Sequence, residues 1–421
     1  MQEAMMNTDP RRSIPMDRFL SDLEPFINLD TPTADLAACR NAAVFLAARL
    51  ENAGLSVTRH TCGADGRPLL TAVSPSTDHS ETQPGNSGGS AEKPYDFLLV
   101  GHFDTVFPAG TASHRPFRLD AAEGRVYGPG TVDMKAGVLL MIYLAEYLTA
   151  VHPDIRLCLL LDCDEETGSA NSAPFLVEYG EKSRCAFVFE GARKTGQFVS
   201  QRKGCRKYEI EITGVASHAG TAPRQGASAI VEMARWITAL DKLKRYDRGT
   251  SVNIGLVQGG TALNVVPDQC TAKVEVRFTD EKEILRIARA IDRMSRKPSV
   301  ENTQAHVTCL SDMPPLRLSM ETRMLMDQMA AYGIEHQNEI EAGLLDPIDF
   351  VSAGGLSDAN RLAACGIPVM DGCGPGGGFP HSEKEFLSLD SLQKRYRLLT
   401  GLLPYLRSQI NCKQQSFIDS E

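Results

Sequence analysis

Short apolar runs alternate with helical stretches along most of this chain. Residues 97–100, 155–161, 186–189 and 366–370 are apolar runs of strand length, and residues 17–53, 137–148 and 389–406 read as helices. Within 17–53, Ala37, Ala38, Val44, Phe45, Leu46 and Leu50 recur near the helical period, and Gly54 supplies a stop. Apolar strands alternating with helices predict a mostly parallel sheet covered on both faces.

The middle of the chain has another rhythm. Residues 207–213 and 272–278 alternate with period two, the second through Val274, Val276 and Phe278. Residues 227–243 predict a helix with Ile230, Met233, Ala234, Ile237 and Leu240 on one face. A strand at 252–257, a helix at 281–294 and a strand at 306–310 complete the order βαββαβ, the split motif of a ferredoxin-like domain. The expected architecture is an α/β domain formed by residues 1–200 and 311–421, interrupted by a small α+β domain at 201–310. Residues 74–93, rich in Ser, Gly, Thr and Pro, predict a surface insertion.

Composition narrows the function classes. A net charge of −9 argues against nucleic-acid or anionic-membrane partners. Residues 1–19 lack the apolar core of a signal peptide. The most apolar helical stretch, 136–148, is short and contains Glu146, so no membrane span is expected. The eleven cysteines are scattered and form no Cys-x-x-Cys pair, which predicts free thiols and a cytoplasmic location. Any metal should then sit on His and carboxylate ligands.

Five stretches carry chemistry. The run 97–100 leads into Gly101-His102-Phe103-Asp104, at the strand end where open α/β sheets gather ligands. His102 and Asp104, two apart on extended chain, point to one side, so Asp104 can fix the tautomer of His102. Asp133, in Gly-Pro-Gly-Thr-Val-Asp-Met-Lys-Ala-Gly, stands where a helix N-cap would stand or where one carboxylate bridges two cations. Asp162, Asp164, Glu165 and Glu166 put four carboxylates in five positions, which repel one another unless cations neutralise them or solvent surrounds them. Glu165 and Glu166 can split the roles of base and ligand. Glu190 ends another apolar strand, and a glycine-rich loop leads to His381. Read singly, each stretch is equally a cap or a solvated loop. Together, two histidines and three carboxylates make an N/O donor set for two Zn²⁺ ions. The run 372–377 also spells G-x-G-x-x-G, but Phe-Pro-His-Ser follows rather than a helix, which excludes a dinucleotide fingerprint.

The stretches GHFDTVFP, GPGTVDMKAG, DEETGS, FEGAR, GVASHAG, NVVPD and PHSEKE, in this order from 101 to 386, resemble the M20 family of metallopeptidases. The spellings GPGTVDMKAG and DEETGS look most like the carboxypeptidase G2 type. The resemblance implies a zinc-peptidase-like three-layer α/β/α catalytic domain with an inserted ferredoxin-like lid and dimerisation domain. It implies His102 and Glu190 on one zinc, Glu166 and His381 on the second, and Asp133 as the bridge; Co²⁺ or Mn²⁺ can substitute. Glu165 matches the general base and Asp104 the partner of His102. His218 matches a histidine that steadies the oxyanion in the other subunit of a homodimer. Asn264 and Arg277 match substrate-binding positions, Arg277 gripping a carboxylate, and Gly355 a close backbone approach. The implied substrate is an N-acyl amino acid or short peptide with a free carboxylate. Release of a C-terminal amino acid, glutamate among the candidates, is the expected activity. N-acyl-amino-acid deacylation is the alternative, and a catalytically silent, metal-stabilised interaction protein is the alternative of another class.

Overall fold

The computed structural model describes residues 10–75 and 94–418. Most of the Ser/Gly/Pro-rich insertion, residues 76–93, lies outside the described residues. The chain forms two compact units. One takes the described residues up to Ser200, Leu318–Ser352 and those from Ser357; the other takes Gln201–Arg317 and Ala353–Leu356.

The larger unit is built on a six-stranded sheet. Its order is Ser56–Cys62, Arg67–Val73, Leu157–Asp162, Tyr95–His102, Ser183–Val188 and Val369–Met370. Every residue of Leu157–Asp162 is buried, as a strand covered on both faces requires. Helix Ala136–Val151 is buried on nearly all sides, which explains why its sequence is apolar all round. The stretch Thr131–Val151 is long and apolar enough to cross a membrane, but 78% of its apolar window is buried inside the fold. Each fully buried Leu or Phe in this core contributes about 1.5–3 kcal/mol.

The sheet is mostly parallel, as expected: the strands from Leu157 to Met370 pair in parallel, while the hairpin Ser56–Cys62/Arg67–Val73 adds two antiparallel pairings. That hairpin holds the edge, so Thr58, Arg59 and His60 interrupt any apolar run. Three expectations for this unit are corrected. The stretch 17–53 is two helices, Met16–Ile27 and Leu36–Asn52. Pro32 bridges to Thr105, and the Asp35 side chain caps the second helix by accepting from Ala37 N and Ala38 N. The strand expected at 366–370 is only Val369–Met370. The final helix runs from Leu389 to Ile418, beyond the expected end.

The smaller unit has the βαββαβ order. Its sheet order is Ser251–Gly259, Gln269–Phe278, Gly204–Thr213, Gln304–Met313, all antiparallel. Ile284, Ile287 and Ile291 line the buried face of helix Glu281–Arg296, whose first turn is capped by Asp280. Helix Ala229–Asp241 is rotated from expectation. Ala229, Met233, Trp236 and Leu240 face inward, whereas Ile230 is 41% exposed. The indole of Trp236 decides the rotation: its N–H donates to the buried Glu232, which also accepts from Ser299 N and Val300 N.

Ten cysteines are free, and eight of them are buried.

Candidate active site

Three parallel neighbours, Leu157–Asp162, Tyr95–His102 and Ser183–Val188, end on the same edge of the sheet. That shared edge gathers groups distant in sequence. His102 closes the central strand, Glu165 and Glu166 form a single 3-10 turn after one neighbour, and Glu190 follows the other. Asp133 lies in the turn before helix Ala136–Val151. It does not cap that helix, whose first residue follows Lys135 without a side-chain cap. The turn packs tightly because Gly137 lies against Phe189, where a Cβ would meet the carbonyl oxygen at 2.2 Å. His381 arrives from the strand Gly377–Gly378, and both Phe379 and His381 hold positive φ, at 55° and 60°. Such backbone is costly for a non-glycine residue and persists where the surroundings over-determine it.

The five candidate ligands come together around Asp133. His102 Nε2 lies 3.3 Å from Asp133 Oδ1 and 3.6 Å from Glu190 Oε1. His381 Nε2 lies 3.0 Å from Asp133 Oδ2 and 3.2 Å from Glu166 Oε2. The two oxygens of Asp133 thus face different histidines. Donor atoms of His102, Asp133 and Glu166 lie within 4.8 Å of one another, as do those of His102, Glu165 and Glu190.

The histidine orientation is fixed from behind. His102 Nδ1 meets the Asp104 carbonyl oxygen at 3.1 Å, with the Asp104 carboxylate 3.2 Å away. Asp104 Oδ2 accepts from Thr33 Oγ1 at 2.7 Å and from Glu166 N at 3.3 Å, so one carboxylate ties two ligand loops together. With its proton on Nδ1, His102 aims the Nε2 lone pair at two carboxylates. That nitrogen is buried and has no hydrogen-bond partner. A lone pair facing anionic oxygens is repulsive unless a ring proton or a metal cation lies between them, and two histidines among three carboxylates are a donor set that fits metal ions.

Charge is concentrated here. Burial alone would lower the pKa of His102, but Asp104, Asp133 and Glu190 raise it well above the usual value. Asp133, then Glu166, push His381 up to about 10. Burial would raise Asp133, yet His102 and His381 hold it below the usual carboxylate range. Burial pushes Glu165 well up, and the negative charges of Glu190, Asp358 and Glu166 add to it. Glu165 is only 9% exposed, beside the ligand set.

Sequence reasoning missed three contributors. Glu385 is buried and accepts from Gly130 N, Val132 N and Asp133 N at 3.1, 2.9 and 3.1 Å, fixing the turn that carries Asp133. Burial pushes its pKa up to about 7. Its signal was its place in PHSEKE, four residues after His381. Lys135 anchors the same turn by donating to Phe26 O and Leu29 O. Thr33 had no signal, since its role depends on the break between the first two helices.

The other candidates belong to the smaller unit. His218 pairs with Val265 on a two-residue strand, and its Nδ1 accepts from Gly220 N and Thr221 N at 3.1 and 3.0 Å. Those bonds put the ring proton on Nε2, making the exposed end a donor. Asn264 is exposed, and its carbonyl accepts from Ala219 N. Arg277 holds Glu275 with two nitrogens, at 2.8 and 3.2 Å, and reaches Gly354 O at 3.4 Å. Gly355 O accepts from Arg202, and a Cβ at Gly355 would meet that guanidinium at an ordinary 3.6 Å.

Known proteins share this arrangement of sequence and fold. The sequence model of peptidase family M20/M25/M40 matches residues 98–404. Carboxypeptidase G2 from Pseudomonas sp. (strain RS-16) is 25% identical over 388 residues, covering 91% of this chain and 88% of that protein. Acetylornithine deacetylase from Myxococcus xanthus is 30% identical over 322 residues, covering 70% of this chain and 80% of that protein. The crystal structure of an M20 family metallo-carboxypeptidase, Sso-CP2 from Sulfolobus solfataricus, superposes with a TM-score of 0.68 at 16% identity, covering 92% of this chain and 99% of that one.

Proposed function

Because this chain belongs to peptidase family M20/M25/M40, we propose that it hydrolyses an amide bond next to a free carboxylate, using two zinc ions held by His102, Asp133, Glu166, Glu190 and His381. The chain is a metal-dependent hydrolase of that family. The observation that carries the two-ion reading is Asp133, whose two oxygens face different histidines. When bound, the ions polarise the scissile carbonyl and bring the pKa of an attacking water toward neutrality. Glu165 takes the proton of that water and returns it to the leaving nitrogen. Asp104 orients His102, and Glu385 holds the Asp133 turn.

Release of a C-terminal amino acid is favoured over deacylation, because the carboxypeptidase relative matches more of the chain than the deacetylase relative does. The test is metal analysis followed by a substrate panel of C-terminal glutamyl peptides, dipeptides and N-acyl amino acids. Two ions per subunit and fastest turnover of the C-terminal glutamyl peptides are expected. Preference for N-acyl amino acids would assign a deacylase, and bound metal without any hydrolysis would assign a silent interaction protein.

Residues of the smaller unit complete the reading. Arg277 and Asn264 hold the substrate carboxylate, Gly355 gives a close backbone approach, and His218 donates Nε2–H to the developing oxyanion of a partner subunit's substrate. Dimerisation is supported by the edge strand Ser251–Gly259, which leaves Leu256 65% and Val257 50% exposed. Mixing inactive Glu165→Ala and inactive His218→Ala subunits should restore activity. Proven heterodimers without restored activity would overturn the exchange of His218 between subunits. Free, mostly buried thiols support a reducing, cytoplasmic setting.

A further inference from the structure

The larger unit contains a cavity of about 80 Å³ lined by Asp133, Glu190, Arg193, Gly377, Gly378 and Pro380, among others. Two of these residues are candidate metal ligands. Arg193 is the sole cation in the lining, and the chemistry described so far does not use it. Its backbone is pinned: Arg193 N donates to Gln197 O at 3.1 Å, and Gly196 N donates to Arg193 O at 2.8 Å. The preceding Ala192 N donates to Pro375 O at 3.3 Å. The arginine is therefore presented from a closed turn, three residues after Glu190.

Its side chain is incompletely satisfied. Nε is buried and has no hydrogen-bond partner. Among the described residues its guanidinium makes no ion pair. Asp133 and Glu190 line the same cavity, but both belong to the donor set around the histidines. With cations on those carboxylates, the cavity presents an uncompensated guanidinium fork, a group shaped for a planar carboxylate. Gly377 and Gly378 add lining without side chains, and a Cβ at Gly377 would strike Phe386 O at 2.0 Å.

We propose that Arg193 binds a second carboxylate of the substrate, distinct from the one next to the scissile amide, so that dianionic substrates are preferred. This rests on the hydrolase reading above. Arg193 then sets specificity through a contact made by one part of the substrate alone.

The test uses the zinc-loaded protein, Arg193→Met and Arg193→Lys. Two matched pairs serve as substrates. N-succinyl-leucine and N-butyryl-leucine differ in an acyl-side carboxylate; N-butyryl-glutamate and N-butyryl-glutamine differ in an amine-side carboxylate. Arg193→Met should lower kcat/KM for the dianionic member of one pair by about 10–100-fold, the range of a charge-assisted hydrogen bond, and leave its monoanionic mate within about 3-fold. Arg193→Lys should recover part of the loss. Equal losses on all four substrates, or no loss on any, would overturn the proposal. A binding measurement separates this from the hydrolase reading. Calorimetry should show succinate binding more tightly than butyrate to the zinc-loaded protein, with the preference lost in Arg193→Met. If that preference depends on Arg193 while no amide is cleaved, the hydrolase reading fails and the carboxylate site stands. An unchanged preference in Arg193→Met removes the site whatever the activity.

Discussion

Glu165→Ala is expected to keep its metal ions and lose about 10²–10⁴-fold in kcat, the usual contribution of a positioned general base. The expectation follows from where the carboxyl sits. It is nearly buried and shares a single turn with Glu166, yet the contacts that His102 and His381 make with Asp133, Glu166 and Glu190 do not involve it. Burial pushes its pKa well up, and a carboxylate raised in this way is a stronger base than an exposed glutamate. KM should change little, since proton transfer is felt in the transition state. Metal stoichiometry by mass spectrometry of the native protein, read beside kcat, checks both halves. Loss of an ion along with turnover would make Glu165 a ligand, a role its proximity to His102 and Glu190 permits. Retained turnover would remove it from the chemistry.

Asp133→Ala is expected to cost both ions, and with them at least about 10³-fold in activity, because removing a ligand also undoes the orientation of its neighbours. Each Asp133 oxygen faces one histidine, so neither half of the donor set survives the change intact. The same arrangement fixes how metal binding depends on pH. In the metal-free protein His102 is raised well above its usual pKa and His381 rises to about 10, so both carry protons at neutral pH. Metal needs the lone pairs, so binding expels these protons and affinity rises with pH over the range in which the histidines are charged. The sign for stability is opposite. The ion pairs of the protonated histidines stabilise the metal-free fold fully below the unfolded histidine pKa, and that contribution fades as pH climbs through about 10. Calorimetry in buffers of different ionisation enthalpy should record protons released from the unmodified protein at neutral pH. Metal affinity independent of pH would contradict the arrangement.

The loops that carry His102, Glu166 and Glu190 were legible because each follows an apolar run whose length and composition announce a buried strand. His102, Glu166 and Glu190 could be placed on one edge of a sheet once those strands were read as parallel neighbours. The small unit was legible for a related reason: Val274, Val276 and Phe278 alternate on a half-buried sheet. What escaped has a different physical character. Glu385 acts through three backbone N–H groups of a turn more than 250 residues away in sequence, and no local pattern encodes that contact. The hairpin at residues 56–73 lies at a sheet edge, where polar side chains are tolerated and the alternation blurs. The face of helix Ala229–Asp241 turned because one indole N–H needed the buried Glu232, a demand that a count of apolar positions does not register.

The candidate ligands come from segments on both sides of the smaller unit in sequence, with His381 lying 191 positions beyond Glu190. On the ribosome, the first four ligands emerge long before the fifth. A nascent chain therefore carries the crowded carboxylates with only one of the two histidines until the loop bearing His381 has been made. A fragment released early, or cut short by a premature stop before residue 381, therefore carries at most four of the five candidate ligands.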